Sequence, residues 1–570
     1  MLKTKIISSL ENVFVDEGIE SYTEINRISA LRGERLSIQF IYRYEDAEKE
    51  ITRIKFNVKA ECELLNFANL YDVHQVPVIK PIFHFKKDEN YLRTTPGLFP
   101  DLLAPRQSIS PIFATHSLTN SLWIEIKIPE DSSFSGEYPL NITLTDENGT
   151  ILSENSIVID IIPIALPEQK LIFTQWFHAD CLAEYYAVPV WSKRHWEIIE
   201  SYAKTAVYLG VNTLLTPVFT PPLDTAVGGE RLTTQLVEVK LKDGKYSFSW
   251  KQLDKWIDMC NRIGIKYLEI SHLFTQWGAT HAPKIIATVD GKKKQIFGWE
   301  TDAHGEEYRI FIRAFLKALL AHLKRRGDDK RCLFHISDEP TEEQLEDYKK
   351  SKNVVADILD DYIIMDALSS YDFYEKGVVK TPIPSSDHIA PFIENKVENL
   401  WTYYFCGQCI GVSNRLISMP SFRNRSIGMQ MYKYNIVGFL HWGFNFYNSE
   451  HSISRINPFV DLSGDKWVPA GDPFSVYPSR NGEAKPSLRA LVFYDALQDI
   501  RAMQLCEALY SHDEVVAAAE KALGYSITFD RCAKSANELL CMRETVNAMI
   551  KEKTDKKMLI FVCKNLSNRR

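Results

Sequence analysis

The apolar residues of this chain change their repeat length near residue 166, and that change limits the fold more than any other feature of the sequence. Up to that point they alternate with polar residues in short runs such as RLSIQFIYRY, RIKFNVKAECELL, LWIEIKIP and YPLNITLTDENG, broken by turn residues like Asn148-Gly149. A period of two sends every second side chain to one face of a strand, so residues 1–166 predict an antiparallel β-sandwich. Pro163 and Pro167 mark its edge.

Beyond that edge, short apolar strands alternate with longer amphipathic stretches, the pattern of repeated βα units. Strands are expected at KLIFTQWF, VNTLLTPV, IKYLEISHLF, RCLFHIS, YIIMDAL, a weak segment near residues 379–391, NLWTYYF and IVGFLHWGF. Eight such units predict a central (β/α)8 TIM-type barrel over residues 167–485. From Pro486 the pattern is helical, led by SLRALVFYDALQDIRAMQLCEALY, and residues 486–570 predict a C-terminal helical extension. The expected fold class is multidomain, combining α/β and β parts.

Charges of both signs are scattered along the chain to a net −7, with no basic block in the sequence, so nucleic acid is not an expected partner. No apolar run approaches the roughly 20 residues that span a bilayer, and no membrane partner is expected. The opening MLKTKIISSLENVFVDE is interrupted by Ser8, Ser9, Glu11 and Asn12, unlike a secretory signal, and ten cysteines are spread thinly over the chain. A cytoplasmic location with free thiols follows as the expectation. Cys406 and Cys409 form a lone CxxC without a second half-site, and no HExxH, Walker loop or GxGxxG follows a strand. Neither a metal nor a cofactor is expected.

In a barrel of this kind the working residues lie just after each strand. Those positions hold His272 and Trp277 after the third strand, Asp338 and Glu339 after the fourth, Trp401 and Tyr403 on the seventh, and Trp442 and Tyr447 after the eighth. Carboxylates among aromatic rings suit a sugar, because rings stack on the apolar faces of pyranosides while carboxylates handle hydroxyls and protons. The pair in FHISDEP is singled out by context, since Asp-Glu also occurs at 16–17, 88–89, 146–147 and 513–514. The plainer alternative is that it caps the helix beginning at TEEQLEDYKK.

A double-displacement glycosidase needs two carboxylates about 5 Å apart across the scissile bond, normally from different strands. Sequence neighbours better serve a 2-acetamido sugar whose own carbonyl attacks the anomeric carbon: Asp338 orients the acetamido N–H and Glu339 protonates the leaving oxygen. Two other readings stay open, a non-catalytic carbohydrate-binding protein and a two-carboxylate retaining enzyme on non-acetamido sugars using Asp366 or Asp180 opposite Glu339.

The runs SHLFTQWGATHAPKI, HISDEP, LWTYYFCGQ, GFLHWGFNFYNS and GDPFSVYPSRNG through SLRALVFYDALQDIRAMQLCE resemble the domain-of-unknown-function 4091 family, which is related to glycoside hydrolase family 123. The resemblance spans roughly residues 170 to 510. It implies an N-terminal β-sandwich before the barrel and a β-N-acetylgalactosaminidase acting by substrate assistance, with Asp338 as oxazolinium stabiliser and Glu339 as general acid/base. The expectation is an exo-acting retaining β-N-acetylhexosaminidase on a small glycan or glycoside with a terminal 2-acetamido sugar, GalNAc being preferred over GlcNAc by resemblance alone.

Overall fold

In the computed structural model, which describes residues 1–45 and 53–567 with side chains to residue 554, the alternating N-terminal runs build two five-stranded sheets. One orders Leu2–Ser8, Arg35–Tyr44, Thr119–Lys127, Ala68–Val78 and Gly97–Arg106, all antiparallel. The other orders Arg27–Arg32, Ile151–Ala165, Gly136–Thr145, Arg53–Glu61 and Ile112–Thr115. It departs from the expected antiparallel pattern at one pair, since Arg27–Arg32 runs parallel to Ile151–Ala165. Alternate residues of both sheets, among them Ile38, Phe40, Ile124, Leu140, Ile142 and Ile159, share one buried cluster. The period of two has put one row per strand inside.

Eight parallel strands follow: β1 (Ile172–Gln175), β2 (Thr213–Thr216), β3 (Tyr267–Ile270), β4 (Cys332–Phe334), β5 (Ile363–Ala367), β6 (Thr381–Ile383), β7 (Trp401–Tyr403) and β8 (Gly438–His441). Each falls within a segment expected to be a strand, including the weak sixth. They pair in a nearly closed ring, β1 joining β8, while β6 and β7 meet through the single bridge Ser385–Tyr403.

A feature absent from the sequence reading sits in the connections after β2 and β3. Strands Glu238–Lys242, Lys245–Ser249, Ile285–Val289 and Lys292–Phe297 form a separate four-stranded sheet of two hairpins. Its turns are Asp243-Gly244 and Asp290-Gly291, with Asp243 at φ 50° and Asp290 at φ 50°, the left-handed geometry a two-residue hairpin requires. The sheet packs on the helix Glu306–Arg326 through Tyr246, Phe248 and Trp250.

The chain divides into two compact units, Met1–Lys170 with Ile410–Tyr434 and Lys485–Arg570, and Leu171–Cys409 with Asn435–Ala484. The first therefore contains the helices Leu488–Glu507, His512–Leu523 and Ala536–Ser567, and also Ser421–Lys433, which the sequence places between β7 and β8. Within this unit buried arginines meet carboxylates: Arg489 on Asp101, Arg425 on Asp499, and Arg543 on both Asp499 and Glu34. None of the nine described cysteines forms a disulfide, and Cys563 lies outside the described side chains.

Candidate active site

β4 ends at Phe334, and His335, Ile336 and Ser337 carry the chain to Asp338 and Glu339. The helix that follows takes its cap from Thr341, which forms a capping box with Gln344. The acidic pair is thus relieved of the capping role that was its plainer explanation. Glu339 adopts φ 43°, a left-handed conformation costly for a residue with a Cβ. It is held there by its N–H on the Ala367 carbonyl at 3.0 Å and by the Tyr403 hydroxyl, which donates to Oε1 at 2.6 Å. The Asp338 carbonyl accepts the Trp277 N–H at 2.9 Å. Trp277 at φ 57° belongs to a second left-handed turn, fixed by Gln344, whose amide donates to its carbonyl.

The pair lies on the wall of a pocket of about 210 Å³, opening at the C-terminal ends of the barrel strands. Trp176, Trp277, Tyr403, Phe405, Trp442 and Trp467 supply its rings, and Asp224 and Asp472 add two further carboxylates. Burial, joined by the negative charges of Glu339 and Asp224, lifts the Asp338 carboxyl well above the usual range. Burial lifts Glu339 as well, against the opposing Tyr403 hydrogen bond. Two neighbouring acids sheltered from water disfavour each other's ionisation.

Beneath the pair lies a buried polar chain. His335 places Nε2 at 2.8 Å from Glu269 and Nδ1 at 3.2 Å from Asp366. Burial works against a charged ring here, yet the bonds to Asp366 and Glu269 push His335 up to about 10. Glu269 also accepts from Thr174 and the Trp176 indole, and Asp366 from Tyr348 and the Ile336 N–H. His272, His335 and Asp366 are near enough to suggest a metal site. However, both His335 nitrogens are engaged by carboxylates, and its ring stacks on that of His272 at 4.3 Å.

Of the residues expected at the site, Asp338, Glu339, Trp277, Tyr403 and Trp442 line the pocket. Three do not. His272 is fully buried beside His335 and Trp176, with no hydrogen-bond partner on either ring nitrogen among the described residues. Trp401 is one layer below Tyr403 in the barrel interior, its indole across Gly438 of β8, where an added Cβ would lie 2.1 Å from the ring. Tyr447 is fully buried and donates its hydroxyl to the Val476 carbonyl. In each case position on or after a strand was read correctly, and depth was not.

The alternative partners Asp180 and Asp366 are also engaged elsewhere. Asp180 receives Arg231 in a bidentate pair at 2.7 and 2.9 Å, and Asp366 belongs to the His335 chain. The sequence reading missed Asp224 and Asp472. Asp224, at φ 45°, is fixed by its N–H on Gln276 and its carbonyl under Ser452. Burial, aided by Glu339 and Asp472 against Arg231, pushes it up to about 7. Asp472 accepts the Trp442 indole N–H at 2.9 Å, which orients that ring. Both carboxylates lie in long connections, where strand-end spacing gives no signal.

The sequence profile of the glycoside hydrolase 123 catalytic domain matches residues 176–506. No curated protein matches the chain. Among solved structures it is similar to a family 123 glycoside hydrolase from Clostridium perfringens, a structure addressing glycolipid glycan hydrolysis. The identity is 14%, the TM-score 0.74, and coverage 98% of this chain and 100% of that one. A Parabacteroides merdae β-glucuronidase matches at TM-score 0.31 and 10% identity over 88% and 51% of the two chains. A Thermotoga petrophila endo-β-1,4-mannanase matches at TM-score 0.33 and 11% identity over 59% and 77%.

Proposed function

Because the chain belongs to glycoside hydrolase family 123 and is a glycosidase, we propose that it is an exo-acting retaining β-N-acetylhexosaminidase that uses the 2-acetamido group of its substrate as nucleophile, with GalNAc preferred over GlcNAc. The observation that carries this reading is the adjacency of Asp338 and Glu339 on one wall of a ring-lined pocket, with Tyr403 donating to Glu339. A pocket of about 210 Å³ suits one terminal sugar rather than a chain passing through. Trp442, fixed through Asp472, and Trp277 are the proposed stacking surfaces. Absence of disulfides among the described cysteines suits work in the cytoplasm.

In this reading the pair shares one proton, which gives the first step its direction. Burial raises both acids, and the charges of Glu339 and Asp224 add to the effect at Asp338. An arriving acetamido N–H supplies the donor that favours ionised Asp338, and the proton is then held by Glu339. The acetamido oxygen attacks C1, the C1–O bond breaks, and Glu339 passes its proton to the leaving oxygen while Asp338 holds the N–H of the oxazolinium. Glu339, now a carboxylate under the Tyr403 hydroxyl, takes a proton from water as the water adds to C1 and the oxazolinium C1–O bond breaks, regenerating the acetamido group and the original configuration.

The test is hydrolysis of 4-nitrophenyl β-glycosides of GalNAc, GlcNAc, galactose and glucose, with Glu339→Gln as control. Turnover confined to the acetamido sugars, lost by about 10²–10⁴-fold in the variant and inhibited by a thiazoline analogue, is expected. A second reading is favoured by Asp224, a half-buried carboxyl that lines the same pocket as Glu339. Cleavage of plain galactoside or glucoside that disappears in Asp224→Asn would make a protein carboxylate the nucleophile and overturn substrate assistance.

A further inference from the structure

No basic run in the sequence is longer than three residues, but the four-stranded sheet gathers six lysines in space. Strands Glu238–Lys242 and Ile285–Val289 run parallel, so the two hairpin turns lie side by side at one end. That end carries Lys240, Lys242, Lys245, Lys292, Lys293 and Lys294, all exposed and, among the described residues, none in an ion pair. Asp243 and Asp290 are the acids in the turns, leaving a local positive excess on a chain of net charge −7.

The direction of this end follows from its packing. Tyr246 meets Phe311, Phe248 meets Phe315 and Trp250 meets His322, so the strand Lys245–Ser249 runs alongside the helix Glu306–Arg326 in the same sense. That helix starts from the connection after β3, on the C-terminal side of the barrel, and runs away from it. The lysine turns are therefore at the end of the sheet facing the side on which the pocket opens. Connections on that same side expose apolar residues: Val227 at 70%, Trp277 at 39% and Ile453 at 79%. The connections are tied together, since Ser452 Oγ donates to the Asp224 carbonyl at 2.8 Å and Trp277 packs on His451.

We propose that the lysine-bearing hairpins and the exposed aliphatic side chains of Val227 and Ile453 dock the protein on an anionic phospholipid surface, with the pocket mouth turned toward it. Lysines at the headgroup level attract anionic lipid, and apolar side chains beside them enter the interface. An acidic polysaccharide would use the lysines equally but gives the exposed aliphatic side chains no role. Docking of this kind needs no spanning helix, and no described helix is long and apolar enough to cross a membrane.

The experiment is flotation of the full chain with vesicles of phosphatidylcholine alone or containing about one-third phosphatidylserine. Binding is read without turnover, so the result is independent of the hydrolytic reading. At least about tenfold stronger binding to the anionic vesicles is expected, lost in about 1 M salt where the screening length is about 3 Å. A Lys242→Ser/Lys245→Ser/Lys293→Ser/Lys294→Ser variant should lose about tenfold of that binding while hydrolysing a soluble 4-nitrophenyl glycoside at the wild-type rate. Ile453→Ser should weaken anionic-vesicle binding without altering its salt dependence. Equal binding to neutral and anionic vesicles, an unchanged quadruple variant, or retention on a heparin column without vesicle binding would each overturn the proposal.

Discussion

Replacing Tyr403 by Phe tests the proposed chemistry at its most specific contact. The hydroxyl of this buried tyrosine donates to Oε1 of the half-buried Glu339 at 2.6 Å. A hydrogen bond to a charged group contributes about 1.5–3 kcal/mol. In the proposed mechanism Glu339 becomes a carboxylate as the leaving oxygen takes its proton, so the bond strengthens on the way to the transition state. Its loss should lower kcat/KM by about 10- to 150-fold, at 1.36 kcal/mol per factor of ten. The same bond lowers the affinity of Glu339 for its proton. Without it the acid form persists to higher pH, and the alkaline limb of the kcat/KM profile should move upward. The assay is a pH series on 4-nitrophenyl β-GalNAc for wild type and variant, with melting temperatures to verify folding. A folded variant within threefold of wild type, or an alkaline limb displaced downward, would refute the assignment of Tyr403 to the acid.

Three further outcomes concern the scaffold. Gly438→Ala puts a Cβ against the Trp401 ring in the barrel interior and should destabilise by about 1–3 kcal/mol, measured by urea denaturation. Arg231→Met leaves Asp180 buried without its bidentate partner and should cost about 3–5 kcal/mol, much of it regained when Asp180→Leu is added; equal losses in single and double variants would refute that account. Burial pushes Asp495 up to about 7, so the folded state holds a proton that the unfolded chain gives up near pH 4. Stability from that group declines as pH rises from about 4 to 7, and Asp495→Asn should raise Tm at pH 8 relative to wild type with little effect at pH 4.

The strand pattern of the barrel was legible because each strand is a short apolar run bounded by polar connections, and even Thr381–Ile383 was located within its weak segment. The inserted sheet was equally open to sequence reasoning. Asp243-Gly244 and Asp290-Gly291 are strong hairpin signals flanked by alternating residues, but they sat inside connections read as βα loops. The site was legible where strand-end position suffices, as at Asp338, Glu339 and Trp442. It was not legible where depth decides. Trp401 and Tyr403 share one face of β7, yet one layer separates a ring filling the barrel from a hydroxyl on Glu339. Asp224 and Asp472 reach the pocket from connections whose course only the folded chain reveals.

The interleaving of the two units has a consequence for how the protein is made. The first unit draws on residues 485–570, and the ring of the second gains β8 only after residues 410–434 have been assigned to the first. A ribosome adding about 5–20 residues per second needs on the order of tens of seconds to bring residue 485 after residue 170. Throughout that interval the N-terminal sheets lack the helices that complete their unit, and until residue 441 is made the barrel lacks the strand that pairs with both β1 and β7. The N-terminal sheets must therefore be kept from aggregating until the residues beyond 485 have been made, and a cut at 166 or at 485 divides the first unit while leaving the second whole.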